Sequence, residues 1–339
     1  MYIRILIIIL SLISGKSLAQ QGNKSQNISD PCQEKAIPII LDTDIAEDYD
    51  DVGAMGMLHA LADRGEVEIL ATVASNTNEL VGPTLSVINT YFGRPDIPIG
   101  APKNSGVNRG TKLGWPDSLI AHYPYKYSST DEVPDAVQIY REILSEQPDS
   151  SVTIVTIGFL TNMKNLLMSE PDRFSYLNGN ELVSKKVKHW VAMAGLFPQG
   201  KEYNVIMDSS ASEYAIDNWP TPIIFSGFEI GNKVLTGIRL IKDGPKESPV
   251  RLAYAISIPQ QPGDKDGRKS WDQTALLIAT RGFKPYYTFE KGTFITQTDG
   301  SNKWKDDPDG NHSRLIELMP PDSVAYVIES LMMYSPVKK

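Results

Sequence analysis

Cysteine is nearly missing from this chain: Cys32 is the single copy in 339 residues. An internal disulfide is therefore impossible, and so is a disulfide-stapled miniature fold. Histidine is also scarce, with four copies. Long apolar runs are missing beyond the N-terminus, which excludes a polytopic membrane protein. Basic charge is in deficit, with 33 Lys and Arg against 41 Asp and Glu and a net charge of −8. That balance speaks against a nucleic-acid binder. What is present is an ordinary apolar share, 41% of residues, which argues against disorder over most of the chain. The length suits one large α/β domain or two ordinary ones.

Residues 1–19 read as an export signal. Arg4 gives the positive start, and Ile5 to Ile13 form an uncharged apolar run. That run is too short for a bilayer, which needs about 20 residues. Ser17-Leu18-Ala19 supplies the small residues of a cleavage site after Ala19. The expected location is thus periplasmic or secreted, with no membrane attachment once the signal is gone. Residues 20–35 are polar and read as a flexible lead-in, in which Cys32 has no assigned role. Residues 36–336 carry the domain.

Ile37 to Leu41 is a short apolar run that fits a buried strand. Val52 to Leu61, closed by Gly65, fits a helix with a glycine stop. Val67 to Ala74 is a second strand, 80–92 a helix and Ile97 to Gly100 a strand end. This alternation predicts an open, mainly parallel sheet with helices on both faces. Asp135 to Glu146 continues it as a helix, Val152 to Ile157, Val187 to Ala194 and Pro222 to Phe225 as strands, and Trp271 to Thr280 as a helix. Val324, Val327, Ile328 and Leu331 mark the core face of a last helix. Residues 102–130, 259–270 and 299–311 lack periodicity and read as surface loops. No internal repeat or linker divides the chain, so one α/β domain is expected.

The most informative stretch is Asp42-Thr43-Asp44-Ile45-Ala46-Glu47-Asp48-Tyr49-Asp50-Asp51. It puts six acids between a buried strand and an apolar helix. In an open parallel sheet, ligands bind beyond the carboxyl ends of the strands. Packed carboxylates raise one another's pKa values, and a hard cation such as Ca²⁺ or Mg²⁺ relieves that cost through oxygen ligands. An EF-hand loop starting at Asp42 would need Gly and Glu where Glu47 and Gly53 stand. A haloacid-dehalogenase-like phosphatase would use Asp42 as nucleophile and Asp44 as acid/base, but leaves the Asp50-Asp51 doublet unexplained.

The cluster resembles the N-terminal signature of the inosine-uridine-preferring nucleoside hydrolases, in a variant of form D-T-D-I-G-x-D-x-D-D with Ala46 for Gly. Further segments resemble the family in order. They are Thr72-Val73-Ala74-Ser75-Asn76, Arg94-Pro95-Asp96-Ile97-Pro98-Ile99, Ile157-Gly158-Phe159-Leu160-Thr161-Asn162, and Glu202-Tyr203-Asn204 with Asp208. The resemblance implies a nucleoside hydrolase-like fold. It also implies hydrolysis of the N-glycosidic bond of a ribonucleoside to ribose and free base, with a Ca²⁺-bound water. By that resemblance Asp44, Asp51, Asp272 and the main-chain carbonyl of Ile157 hold the Ca²⁺, and Asp44 is the general base. Asp50 and Asn76 hold the ribose 2′- and 3′-hydroxyls, and Glu202 and Asn204 the 5′-hydroxyl. A homodimer or homotetramer is implied as well.

Trp271 departs from the family pattern, in which a His often precedes the metal-binding Asp and protonates the leaving base. Trp cannot titrate; it reads equally as a residue that stacks on the base and as a plain core residue, and in the first case it belongs to the substrate site. His312 is the first histidine to test as an alternative acid; His59 reads as structural. Thr161 reads as the N-cap of the helix that follows it. Besides the phosphatase, one other alternative stays open: an exported nucleoside- or ribose-binding protein without turnover.

Overall fold

The computed structural model describes residues 35–103, 106–297 and 299–336. The expected signal, Cys32 and nearly all of the lead-in lie outside those residues. From Lys35 onward the chain forms one compact unit.

Ten strands form one sheet in the order β3-β2-β1-β4-β5-β7-β12-β10-β11-β6. The first seven positions are parallel. They are β3 (Ile99–Gly100), β2 (Val67–Ala74), β1 (Ile37–Thr43), β4 (Val152–Thr156), β5 (Val187–Met193), β7 (Ile223–Ser226) and β12 (His312–Glu317). An antiparallel ribbon follows, made of β10 (Tyr287–Thr296), β11 (Asn302–Asp306) and β6 (Gln199–Gly200). A small separate pair joins β8 (Leu235–Thr236) to β9 (Arg268–Lys269).

Helices cover both faces, and each face has its own core. In β1, Ile39 and Leu41 enter one core while Ile40 enters the other. Burial on both sides is why that strand is a continuous apolar run. The first core takes α1 (Asp50–Asp63), α2 (Val81–Tyr91), α3 (Trp115–His122), α9 (Phe228–Gly231), α10 (Ile238–Asp243), α11 (Pro249–Ser257), α12 (Trp271–Arg281) and α13 (Pro321–Met332). The second takes α4 (Ala136–Glu146), α5 (Thr161–Leu167), α6 (Gly179–Lys186), α7 (Tyr203–Met207) and α8 (Ser209–Asn218). Among the described residues no helix is long and apolar enough to cross a membrane.

The expected α/β architecture is present, and the strands and helices named from sequence fall within a few residues of their observed bounds. The three segments read as loops are more ordered than expected. Residues 102–130 contain α3, 259–270 contain short 3₁₀ turns and β9, and 299–311 contain β11. Thr161 is not the cap of α5. It is the first residue after the cap Leu160, and its hydroxyl donates to Asp208 Oδ2 at 2.6 Å.

Candidate active site

Strand β1 delivers its acids to the carboxyl edge of the sheet, where the backbone turns into α1. The turn puts Ala46 at φ 84°, in the left-handed region, with its methyl buried. Asp50 and Asp51 then occupy the first turn of α1, and Asp272 that of α12. The positive ends of both helix dipoles thus face acids, which is favourable. The two helices pack closely at Gly53, where a Cβ would stand 2.4 Å from Gln273 Nε2. That amide donates to Asp50 O at 3.0 Å and to Tyr254 Oη at 2.9 Å. Residues from distant parts of the chain are thereby held in one corner.

A cavity of about 190 Å³ opens there. Asp44, Asp48, Asp50, Asp51 and Asp272 line its acidic side, with Ile157 from the end of β4. Carboxylate oxygens of Asp50, Asp51 and Asp272 lie within 4.8 Å of one another. Asp51 Oδ1 accepts the Thr43 hydroxyl, while Oδ2 is buried without a partner among the described residues. Burial, then the charge of neighbouring acids, pushes the carboxyls of Asp44, Asp51 and Asp272 well above the usual range. Asp50 is also raised by burial, against the pull of Arg268. A corner this crowded with buried carboxyls suits a metal ion, which supplies the missing positive charge.

The family model for inosine-uridine preferring nucleoside hydrolases matches residues 39–301, well over half of the chain. The chain belongs to this family. The solved structures with the same fold include the purine-preferring ribonucleoside hydrolase from Gardnerella vaginalis. It is 14% identical, with a TM-score of 0.68, covering 87% of this chain and 98% of that one. The inosine-uridine preferring nucleoside hydrolase from Bacillus anthracis gives 15% and 0.64, covering 88% and 99%. An inosine-guanosine nucleoside hydrolase gives 18% and 0.67, also covering 88% and 99%. Curated protein sequences gave no match.

As a nucleoside hydrolase the chain is an N-glycosidase, and the phosphatase alternative falls. Its proposed nucleophile, Asp42, does not line the cavity. Asp42 is fully buried, and its Oδ2 accepts from Tyr140 Oη at 2.8 Å and Asn162 Nδ2 at 2.9 Å.

The residues singled out from sequence take different places in this hydrolase. Asp44, Asp50, Asp51, Ile157, Glu202, Asn204, Trp271 and Asp272 all line the cavity. Asn76 does not. Its amide donates to Asp44 O at 3.1 Å and Arg109 O at 2.8 Å, and accepts from the backbone N–H groups of Asn78 and Arg109, both at 3.0 Å. Those four bonds use the whole capacity of an amide, so Asn76 acts by fixing the main chain of Asp44. Glu202 caps α7 and accepts backbone N–H groups from Gly195, Asn204 and Val205. Burial nevertheless raises its carboxyl to about 7. Asn204 spends its Nδ2 on Met193, and Trp271 spends its indole N–H on Phe228 O at 3.0 Å.

None of the four histidines lines the cavity. His312 is not in a loop but on β12, where its Nδ1 accepts from Phe294 N at 3.0 Å, and burial lowers it to about 4. His59 is buried, stacked on Phe92 and bonded to Asn89. Among the charged residues lining the cavity, the sequence reading passed over Arg268 alone. It stands in a Gly-, Asp- and Lys-rich stretch whose only hint was its nearness to Trp271-Asp272.

Proposed function

We propose that this enzyme hydrolyses ribonucleosides by attack of water on the anomeric carbon, with Asp44 as general base and Ca²⁺ as the metal. The observation that carries the reading is the set of buried, mutually close carboxyls in one cavity with Asp44. Asp51 Oδ2, buried and unpartnered among the described residues, fits a cation. Asp44, Asp51 and Asp272, with the Ile157 carbonyl, would hold it. When bound, the cation supplies charge that eases deprotonation of a water and grips the sugar diol.

The chain's own residues do the rest. Asp44 takes the proton from the attacking water, as the new C–O bond forms and the C–N bond to the base breaks. The surrounding carboxylates favour the positive charge that develops on the sugar ring. Asp50 accepts from the 2′- and 3′-hydroxyls, and Glu202 and Asn204 Oδ1 hold the 5′-hydroxyl, so that binding energy orients the sugar. With no titratable group at Trp271, the base draws its proton from solvent. Residues 1–19 make export to the periplasm or medium the working expectation.

A panel of purine and pyrimidine ribonucleosides, incubated with enzyme and Ca²⁺, tests this by chromatography of free base. Base and reducing sugar are expected in equal amounts, and a chelator should stop their release. Binding of a nucleoside without any base release would replace the reading with the non-catalytic one.

A further inference from the structure

Among the described residues, Arg268 is the one cationic side chain lining the acidic cavity, and the reaction above gives it no task. It is only 9% exposed. Its Nε and Nη2 both donate to Asp50 Oδ1, at 3.0 and 2.7 Å. Nη2 also meets Asp48 Oδ1 at 2.5 Å, and Nη1 faces Asp264 Oδ2 at 3.5 Å. The guanidinium lies over the rings of Tyr49 at 4.8 Å and Trp271 at 5.1 Å. Asp264 is fixed in turn by Tyr49 Oη at 2.6 Å and Lys269 Nζ at 2.9 Å. This is a rigid fork, not a mobile surface charge.

Asp50 consequently has two suitors. Its carboxylate is close enough to Asp51 and Asp272 for the three to share one ion. Yet one of its oxygens already accepts two N–H groups from the guanidinium, an arrangement stronger than a neutral hydrogen bond. A dication drawn into the corner pulls on every acid; Arg268 pulls Asp50 the other way and repels the cation. We propose that Arg268 is a positioning residue that withholds Asp50 from the metal and reserves it for the sugar diol. The acids are thereby divided: Asp48, Asp50 and Asp264 belong to the guanidinium, and Asp44, Asp51 and Asp272 to the cation. The inference rests on the nucleoside hydrolase reading for the sugar, and on the acidic corner alone for the metal.

Calorimetry on the full-length folded enzyme separates the two. Ca²⁺ is titrated alone, then D-ribose in saturating Ca²⁺, for the wild type, Arg268→Met and Arg268→Lys. Losing the positive charge in Arg268→Met should tighten Ca²⁺ binding at least tenfold while ribose binding weakens at least tenfold. Arg268→Lys keeps the charge but not the fork, so Ca²⁺ binding should stay near wild type while ribose binding weakens. Ca²⁺ binding that is unchanged or weaker in Arg268→Met overturns the proposal, as does wild-type ribose affinity in either variant. If Arg268→Met fails to fold, Arg268→Lys decides through ribose. If the wild type releases no base from any nucleoside, the hydrolase reading fails, and the Ca²⁺ titration still tests the division of the acids.

Discussion

In the parallel part of the sheet, functional groups stand just beyond the strand ends themselves: the Asp44 carboxylate after β1, the Ile157 carbonyl after β4. The antiparallel ribbon has one such residue, Glu202 just beyond β6, and none on β10 or β11. Its contribution is to hold a turn: Asn302 on β11 accepts from Leu196 N at 2.9 Å and donates to Leu196 O at 3.0 Å. Trp304 N donates to Pro198 O at 2.8 Å. That turn leads straight into Glu202, which caps α7 at the cavity. In the proposed reaction the parallel part offers acids to the cation, and the ribbon steadies the residues that would hold the sugar's far hydroxyl. One cavity therefore has two supports that can be damaged separately.

The largest effect should come from the parallel part. Asp44→Asn removes the proposed base and should lower kcat by about 10²–10⁴-fold with the fold intact, read by base release and circular dichroism. A small loss would return the base role to another acid. Next comes Glu202, at the end of the ribbon-held turn. Its carboxyl, raised to about 7 by burial, keeps its proton in the folded chain where an unfolded Glu has lost it. Stability should therefore fall as pH rises from about 4.5 to 7, by the order of 3 kcal/mol from this group. Urea melts across that pH range should fall less steeply in Glu202→Gln than in wild type, by this group's share, with the remaining slope left to the other buried acids.

Asn302→Ala tests the ribbon without touching the cavity. It leaves both backbone groups of Leu196 short of a partner and should cost about 1–3 kcal/mol. Its signature is a raised KM with Ca²⁺ affinity unchanged; a matching loss of Ca²⁺ affinity would erase the distinction between the two supports. The smallest expected effect is Ala46→Gly. Releasing a non-glycine residue from φ 84° gains about 1 kcal/mol, losing its buried methyl costs about 0.8 kcal/mol, and Tm should hardly move.

The same contrast explains what could be read from sequence. Strand β1 is legible because burial on both faces makes it an unbroken apolar run, and the acids that stop it mark the sheet's ligand edge. The ribbon hides. Strand β11 reads Asn-Lys-Trp-Lys-Asp, four polar residues around one aromatic, and only Asn302 in it is buried. Such composition suits a strand near a sheet edge and resembles a loop. Arg268 was hidden for another reason: its partner Asp50 lies 218 positions away, and nothing local requires an arginine there. Asn76 was found by motif, but two of the four bonds to backbone that give it a clamping role exist only once Arg109 has folded beside it.

The close packing at Gly53 has a consequence for how the chain reaches its final state. Asp50 and Gln273, joined across that contact, are 223 positions apart in sequence. The acidic corner is therefore complete only after most of the chain has been placed, and no early fragment carries it. A cation held by Asp44, Asp51 and Asp272 would bind the finished fold and not its precursors. By mass action, a hundredfold excess over Kd would deepen the folded state by about 2.7 kcal/mol. The metal would thus lock the two ends of the fold together as well as serve the sugar.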